Sequence, residues 1–441
     1  MKAADPGLSW IGVMRLGLIQ SALGSIVVLM TSTINRVMAV ELALPAMIPG
    51  ALVALHYGVQ ILRPAWGYGS DMGGRRTPWI IAGMAALGLG GIGAALATAL
   101  CASHPIAGVA LAALAFVLVG MGVGSAGTSV LAMLATRVAP SRRAAAATAV
   151  WVMMIMGFAV TAPLAGHFLD PFSNARMIAV VATVSGVAFV VACLAVLGVE
   201  GAAIAAAPAR KAPFRQAFAQ VWADPAARHF TIFIFVSMLA YSAQELIIEP
   251  FAGVVFGMTP GVTTKLAGLQ HGGVLTGMIG VAICASAIGG PILGSLRLWT
   301  VAGCIASALS LAAIALSGFA ASDAPLRAAI FALGVSNGAF SVAAIGAMMG
   351  LASAGANARE GTKMGLWGAA QAVAFGLGGI VGTTAVDVAR HLAPTPQTAY
   401  AFVFVGEALL FAAAAWLASR IGQGRREASR RAAGDAIIAG T

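Results

Sequence analysis

A chain of 441 residues that is 60% hydrophobic and only 9% charged is not an ordinary soluble domain, in which about a quarter of residues carry charge. A formal net charge of +11 would point a soluble protein toward nucleic acid, but here the basic residues fall in short connections between apolar runs, where they set membrane orientation. The runs recur from end to end at the length of a membrane crossing, and backbone in lipid must bond internally, so an all-α membrane protein is predicted and nucleic-acid binding is excluded.

Twelve transmembrane helices are predicted, near 16–35, 44–65, 78–100, 106–134, 144–168, 176–198, 229–253, 273–293, 298–319, 325–350, 364–387 and 397–419. The first run continues past signal-peptide length without a clear cleavage site, so it is expected to remain as span one. Of the 25 Lys and Arg, only Arg36, Arg176, Lys265, Arg327 and Arg390 fall on one side, a bias that predicts both termini in the cytoplasm. Cys101, Cys193, Cys284 and Cys304 lie mostly in apolar runs without metal-site spacing, and no disulfide is expected.

The connection after span two reads Gly67-Tyr68-Gly69-Ser70-Asp71-Met72-Gly73-Gly74-Arg75-Arg76. Gly67 permits close helix contact, and Gly73-Gly74 permits a tight turn at positive φ. Asp71 suits a neighbouring helix N-terminus, and Arg75 and Arg76 suit an anionic lipid face. In spacing this resembles the loop signature of the major facilitator superfamily, with Gly69 in place of the usual apolar residue. The resemblance implies two six-helix halves. It also implies that Asp71 docks on the start of span eleven near Gly365, or pairs with Arg137 below span four. The second half shows no clear copy of the loop. In span five, Ala162 precedes Pro163 where drug antiporters of the superfamily carry glycine, which weakens an antiporter reading.

The chain divides into a first bundle (1–198), a linker (199–228), a second bundle (229–419) and a basic tail (420–441). In the linker, Phe214, Phe218, Val221 and Trp222 repeat at helical spacing among polar residues, which predicts an amphipathic helix on the cytoplasmic face. Met47-Ile48-Pro49-Gly50 after span one is echoed by Met258-Thr259-Pro260-Gly261 after span seven.

Ionisable groups within spans are costly, so each is a functional candidate. Asn35, Arg36 and Glu41 cluster at the end of span one; Gln244, Glu245 and Glu249 stand at the corresponding end of span seven; Glu407 lies inside span twelve. Spans one and seven are partners in a two-half transporter plan, so Arg36 is expected to pair with Glu245 or Glu249 and close the outer face. Interfacial anchoring of Arg36 and Glu249, and a helix–helix hydrogen bond for Glu407, stay open as plainer readings. Of six histidines only His56 is placed well inside a span, as a metal ligand or as a simple hydrogen-bonding group. No nucleotide loop or catalytic triad is found, and no enzyme is expected.

Three stretches carry a more specific resemblance: Arg15-Leu16-Gly17-Leu18-Ile19-Gln20 leading to Thr33-Ile34-Asn35-Arg36-Val37-Met38-Ala39-Val40-Glu41-Leu42; Trp222-Ala223-Asp224-Pro225; and the run from Tyr241 through Gln244-Glu245-Leu246-Ile247-Ile248-Glu249-Pro250 to Gly261, continuing to Gln270-His271-Gly272-Gly273. Together they resemble the PucC/LhaA family, the bacteriochlorophyll delivery branch of the superfamily. The short N-terminus is more like the branch labelled bacteriochlorophyll synthase chain than like the longer-leadered members. The resemblance implies a multi-pass protein of the bacterial inner, or intracytoplasmic, membrane that handles bacteriochlorophyll or a precursor. Its partners would be light-harvesting antenna or reaction-centre subunits and pigment-biosynthesis enzymes, with His56 as candidate ligand for the pigment magnesium. An apolar Gly/Ala-lined groove suits such a pigment. A prenyltransferase is not expected, because Asp170, Asp323 and Asp387 are scattered. Two alternatives remain: a secondary transporter of a small solute, with proton coupling as an option, and a structural partner of antenna complexes that binds no pigment.

Overall fold

The computed structural model describes residues 7–63, 65–66, 75–139, 142–201, 222–223, 225–285, 290–320, 322–353 and 360–420. Within them the chain forms twelve packed helices. They are α1 Trp10–Leu29, α2 Met47–Val59, α3 Thr77–Cys101, α4 Pro105–Arg137, α5 Arg143–Leu169 and α6 Asn174–Val196, then α7 Pro225–Phe256, α8 Pro260–Cys284, α9 Leu296–Ser317, α10 Ala324–Ser353, α11 Glu360–Leu392 and α12 Pro396–Arg420. Eleven are long and apolar enough to cross a membrane; the shorter apolar helix runs Met47–Leu62, α2 with a tight terminal turn. Side chains such as Ile106, 90% exposed, and Leu392, 81% exposed, point outward from the bundle, as lipid-facing residues do.

The two sets of six pack on one plan. In the first, α1 lies against α5 and α6, and α3 against α4 and α6; in the second, α7 lies against α11 and α12, and α9 against α10 and α12. Across the sets, α5 packs on α8 and α2 on α11. The α5–α8 seam is close because both helices offer small residues: a Cβ on Gly261 would meet the Gly166 carbonyl, and one on Gly268 would meet the Pro163 ring. With an even number of crossings, α1 begins and α12 ends at the same end of the bundle, the termini end; the opposite end is the far end.

Two boundaries differ from the sequence reading. The α1 helix continues through two wide π-turns, Met30–Ile34 and Val37–Glu41, well beyond residue 35. The α8 helix starts at Pro260, not near 273, with the Thr259 hydroxyl accepting from Val262 N at its N-terminus. Its first three turns carry Thr263, Thr264, Gln270 and His271, ahead of the expected start, and all four are buried. Thr264 and His271 meet Thr33 and Phe158 of the other half, and Thr263 bonds the Pro260 carbonyl of its own helix. His271 is therefore a second histidine well inside a span. The amphipathic helix expected in the linker lies mostly outside the described residues.

Candidate functional site

At the far end, Arg36 is 2% exposed and pairs with Glu41 of its own helix. The π-turns explain the partner. An i→i+5 turn stacks residues five apart, whereas an ordinary α-helix would turn Glu41 away from Arg36. The second terminal guanidinium nitrogen donates to the Met258 carbonyl across the halves. The expected pairing with Glu245 or Glu249 is thus corrected. Glu249 is buried, close enough to Arg36 and Ser32 to interact, but its Oε2 has no hydrogen-bond partner. Glu245, one helical turn deeper on the same face of α7, makes no ion pair with Arg36. Asn35 donates to the Leu246 carbonyl at 2.8 Å, and the hydroxyls of Thr33 and Thr264 meet at 2.9 Å.

Two aspartates that look scattered in sequence complete this closure in matching places. Asp387, near the end of α11, accepts from Ala46 N at 2.9 Å and Met47 N at 2.8 Å, at the start of α2. Asp170, just past α5, accepts from the Thr259 hydroxyl at 2.9 Å and Gly261 N at 3.3 Å, at the start of α8. A carboxylate at a helix N-terminus satisfies donors without intrahelical partners and opposes the positive dipole end. The Met-Ile-Pro-Gly and Met-Thr-Pro-Gly echo marks these two capped starts. Each cap reaches from one half to the other.

Deeper on the axis, three aromatic rings from three helices form a wall. Tyr57 of α2 lies 5.3 Å between centroids from Phe375 of α11, and Tyr241 of α7 lies 5.7 Å from the same ring. Glu245 is near enough to both phenols to couple electrostatically. All four side chains, with Gln371, are partly exposed although the rest of the chain surrounds them, so they line a space within the bundle. No hydrogen bond or ion pair holds the Glu245 carboxylate among the described residues. On the α2 side, His56 Nε2 and Gln60 Nε2 are 3.0 Å apart, and Arg63 donates to Gln60 Oε1. Tyr57, Tyr241 and Phe375 were missed as site residues. The available signal was rarity: the chain has four tyrosines, and two of them meet here.

The remaining candidates are dispersed. Gln244 is fully buried with both amide atoms unpartnered, and Glu407 is buried in the second half with neither oxygen hydrogen-bonded. Of the loop signature, Gly67, Asp71 and Gly74, and with them the expected Asp71 docking, lie outside the described residues. Arg75 is exposed; Arg76 donates to the Thr136 hydroxyl at 2.7 Å; the Arg137 carbonyl accepts from Leu8 N at 2.8 Å. Beside this region, Glu200 caps α3 by accepting from Arg76 N and from the N–H and hydroxyl of Thr77. Burial works to raise the Glu200 pKa, but these hydrogen bonds and the Arg76 charge together hold it below the usual carboxylate range. A recess of about 610 Å³ opens toward lipid between α1, α5 and α6. The Ser21, Ser25 and Thr161 hydroxyls that line it are all engaged within the protein, and Arg176, also in its lining, donates to the Asp170 carbonyl.

Comparison with known proteins places this geometry. Among solved structures, a variant of the nucleoside transporter NupG superposes with a TM-score of 0.70 at 13% identity, over 93% of this chain and 99% of that one. A bacterial homologue of the human lysosomal transporter Spinster, in an inward-facing conformation, gives 0.67 at 16% identity, over 95% and 98%. These likenesses show the fold, that of the major facilitator transporters. In sequence, the chain is 52% identical over 418 residues to a Rhodobacter capsulatus protein named Bacteriochlorophyll synthase 44.5 kDa chain, covering 94% of this chain and 96% of that one. It is 30% identical over 390 residues to Protein PucC of the same organism, covering 83% and 81%. The profile of the family described as PUCC protein matches residues 33–425, and the chain therefore belongs to the PucC family.

Proposed function

We propose that the chain is a membrane assembly factor that handles bacteriochlorophyll, or a precursor, and delivers it to light-harvesting complexes in a phototrophic bacterium. The observation that carries this reading is near full-length similarity to one relative named for bacteriochlorophyll and to others named PucC. The axis supports it physically. A large conjugated macrocycle needs apolar and aromatic surface with few, well-placed polar groups. The Tyr57–Phe375–Tyr241 wall with Glu245 has that character, and it lies where the two halves meet. The protein acts by binding and transfer, not by catalysis, despite the synthase wording of the relative's name. It sits in the inner, intracytoplasmic membrane with both termini cytoplasmic; a reporter fused after Arg143 that read periplasmic would overturn this orientation. Antenna or reaction-centre subunits and pigment-forming enzymes are its partners.

The test is deletion of the gene in a phototroph. Membranes should lose antenna absorption while antenna transcripts persist, and a plasmid copy should restore it. Normal antenna in the deletion strain would refute the role. Secondary transport of a small solute is the second reading, favoured by the unpartnered carboxylates of Glu245 and Glu407. It requires uptake or proton movement that depends on those residues with antenna unaffected.

A further inference from the structure

From the geometry of the axis we infer that Glu245 supplies the axial oxygen ligand to the magnesium of a tetrapyrrole seated against Tyr57, Phe375 and Tyr241. This assignment rests on the pigment reading above and adds to it a ligand atom and an orientation.

Magnesium is a hard cation that takes oxygen ligands. A chlorin-type macrocycle fills four equatorial positions with its own nitrogens and leaves an axial one for the protein. The occupant of that position must be an electron-pair donor that faces a space and is not already engaged. His56 does not qualify: its Nε2 is against Gln60, and its Nδ1 is sealed inside the protein. His271 keeps Nε2 as a lone-pair donor, but its ring is enclosed and its ring contact is with Phe158, not with the aromatic wall. Its Nδ1 bonds the Ala267 carbonyl at 2.8 Å, its ring packs edge-on against Phe158 at 4.9 Å, and the residue is 3% exposed. Glu249 and Glu407 are buried among packed side chains. Glu245 differs on each count. It is partly exposed within the bundle, it has no hydrogen-bond or ion-pair partner among the described residues, and it stands beside the aromatic wall. A carboxylate left without a partner inside a bundle is costly, and a bound divalent ion relieves that cost.

The aromatic residues fit the same ligand. The planes of Tyr57 and Tyr241 are tilted 48° and 49° to that of Phe375, so the wall offers both ring faces and edges to a flat conjugated ligand. The two phenol hydroxyls and the Gln371 amide are donors of the kind that peripheral carbonyls of the macrocycle accept. The wall draws on both halves, since Tyr57 comes from α2 and the others from α7 and α11. Relative movement of the halves would therefore separate the ligand's two sides and release it.

The experiment titrates purified full-length protein in detergent with magnesium protoporphyrin dimethyl ester and, separately, with its metal-free counterpart. Tyrosine and tryptophan fluorescence quenching reports binding, and the shift of the main porphyrin band reports axial ligation. Wild type should bind both and shift only the magnesium form. Glu245→Ala, checked for monodispersity, should weaken the magnesium form by about tenfold or more and abolish its shift, with the metal-free form bound nearly as before. Glu245→Gln, which keeps shape and one carbonyl oxygen, should fall between. A shift retained in Glu245→Ala and lost in His56→Ala or His271→Ala would assign the ligand to a histidine and overturn the inference, leaving the pigment reading in place. Equal loss of both porphyrins in Glu245→Ala overturns it too. If wild type binds neither porphyrin, the pigment reading itself falls.

Discussion

At the scale of single residues, Arg36 shows how backbone decides a partner. A cation at the end of one central helix and two carboxylates on the next suggested a cross-half ion pair, but the π-turns place Glu41 over Arg36 and leave the Met258 carbonyl to make the cross-half bond. Nothing in the residue spacing signals a π-turn, so this was not legible. Removing one member of a fully buried pair costs about 3–5 kcal/mol. Here only Arg36 is fully buried, so the cost is smaller: Arg36→Leu, which leaves the Met258 carbonyl without its donor, should lower the thermal midpoint in detergent. Glu41→Gln should lower it as well, because it leaves the Arg36 cation, 2% exposed, without its carboxylate. Swapping the two residues should not restore stability, since the Met258 carbonyl still lacks its donor; a full recovery in a thermal-shift assay would contradict this. Glu200 gives a pH dependence. Its folded pKa is depressed, so its contribution is present above the unfolded value of about 4.3 and is lost as pH falls through the folded one. The midpoint gap between wild type and Glu200→Gln should be widest near neutrality and close toward acid. A gap constant from pH 7 to pH 3 would count against it.

At the scale of elements, most spans are legible because lipid imposes length and apolarity on every crossing. Helix α8 is the instructive miss. Thr264 and His271 meet Thr33 and Phe158 of the other half, and hydropathy cannot tell such a neighbour from water. The caps were invisible for a related reason. Asp387 and Asp170 acquire meaning only when α11 meets α2 and α5 meets α8, contacts between residues hundreds and about ninety positions apart. Each cap contributes about 1 kcal/mol. Asp170→Ala or Asp387→Ala alone should loosen the far end slightly, and the double variant should open it. The readout is labelling of Thr33→Cys, a position 1% exposed, by a membrane-impermeant thiol reagent after the four native cysteines are replaced. Labelling should rise in the double variant. A rate equal to that of the intact caps would show that the caps do not hold the far face shut.

At the scale of the whole molecule, the side-chain hydrogen bonds between the halves gather, among the described residues, at the far end, while the aromatic wall and Glu245 lie deeper along the axis. A molecule closed at one end and carrying a partly accessible, charge-poor site within suits a cargo that is large, flat and apolar. The sequence marks Glu245 as an expensive intramembrane carboxylate but not its neighbours, because an aromatic residue in an apolar span reads as core until three helices bring such residues together. The central claim is that this chain holds a bacteriochlorophyll-type pigment. Its most direct test is the near-infrared absorption spectrum of the protein purified in mild detergent from phototrophically grown cells. The account predicts a bacteriochlorophyll-type band that elutes with the protein and is depleted in Glu245→Ala; a colourless wild-type protein from pigment-replete cells would contradict it.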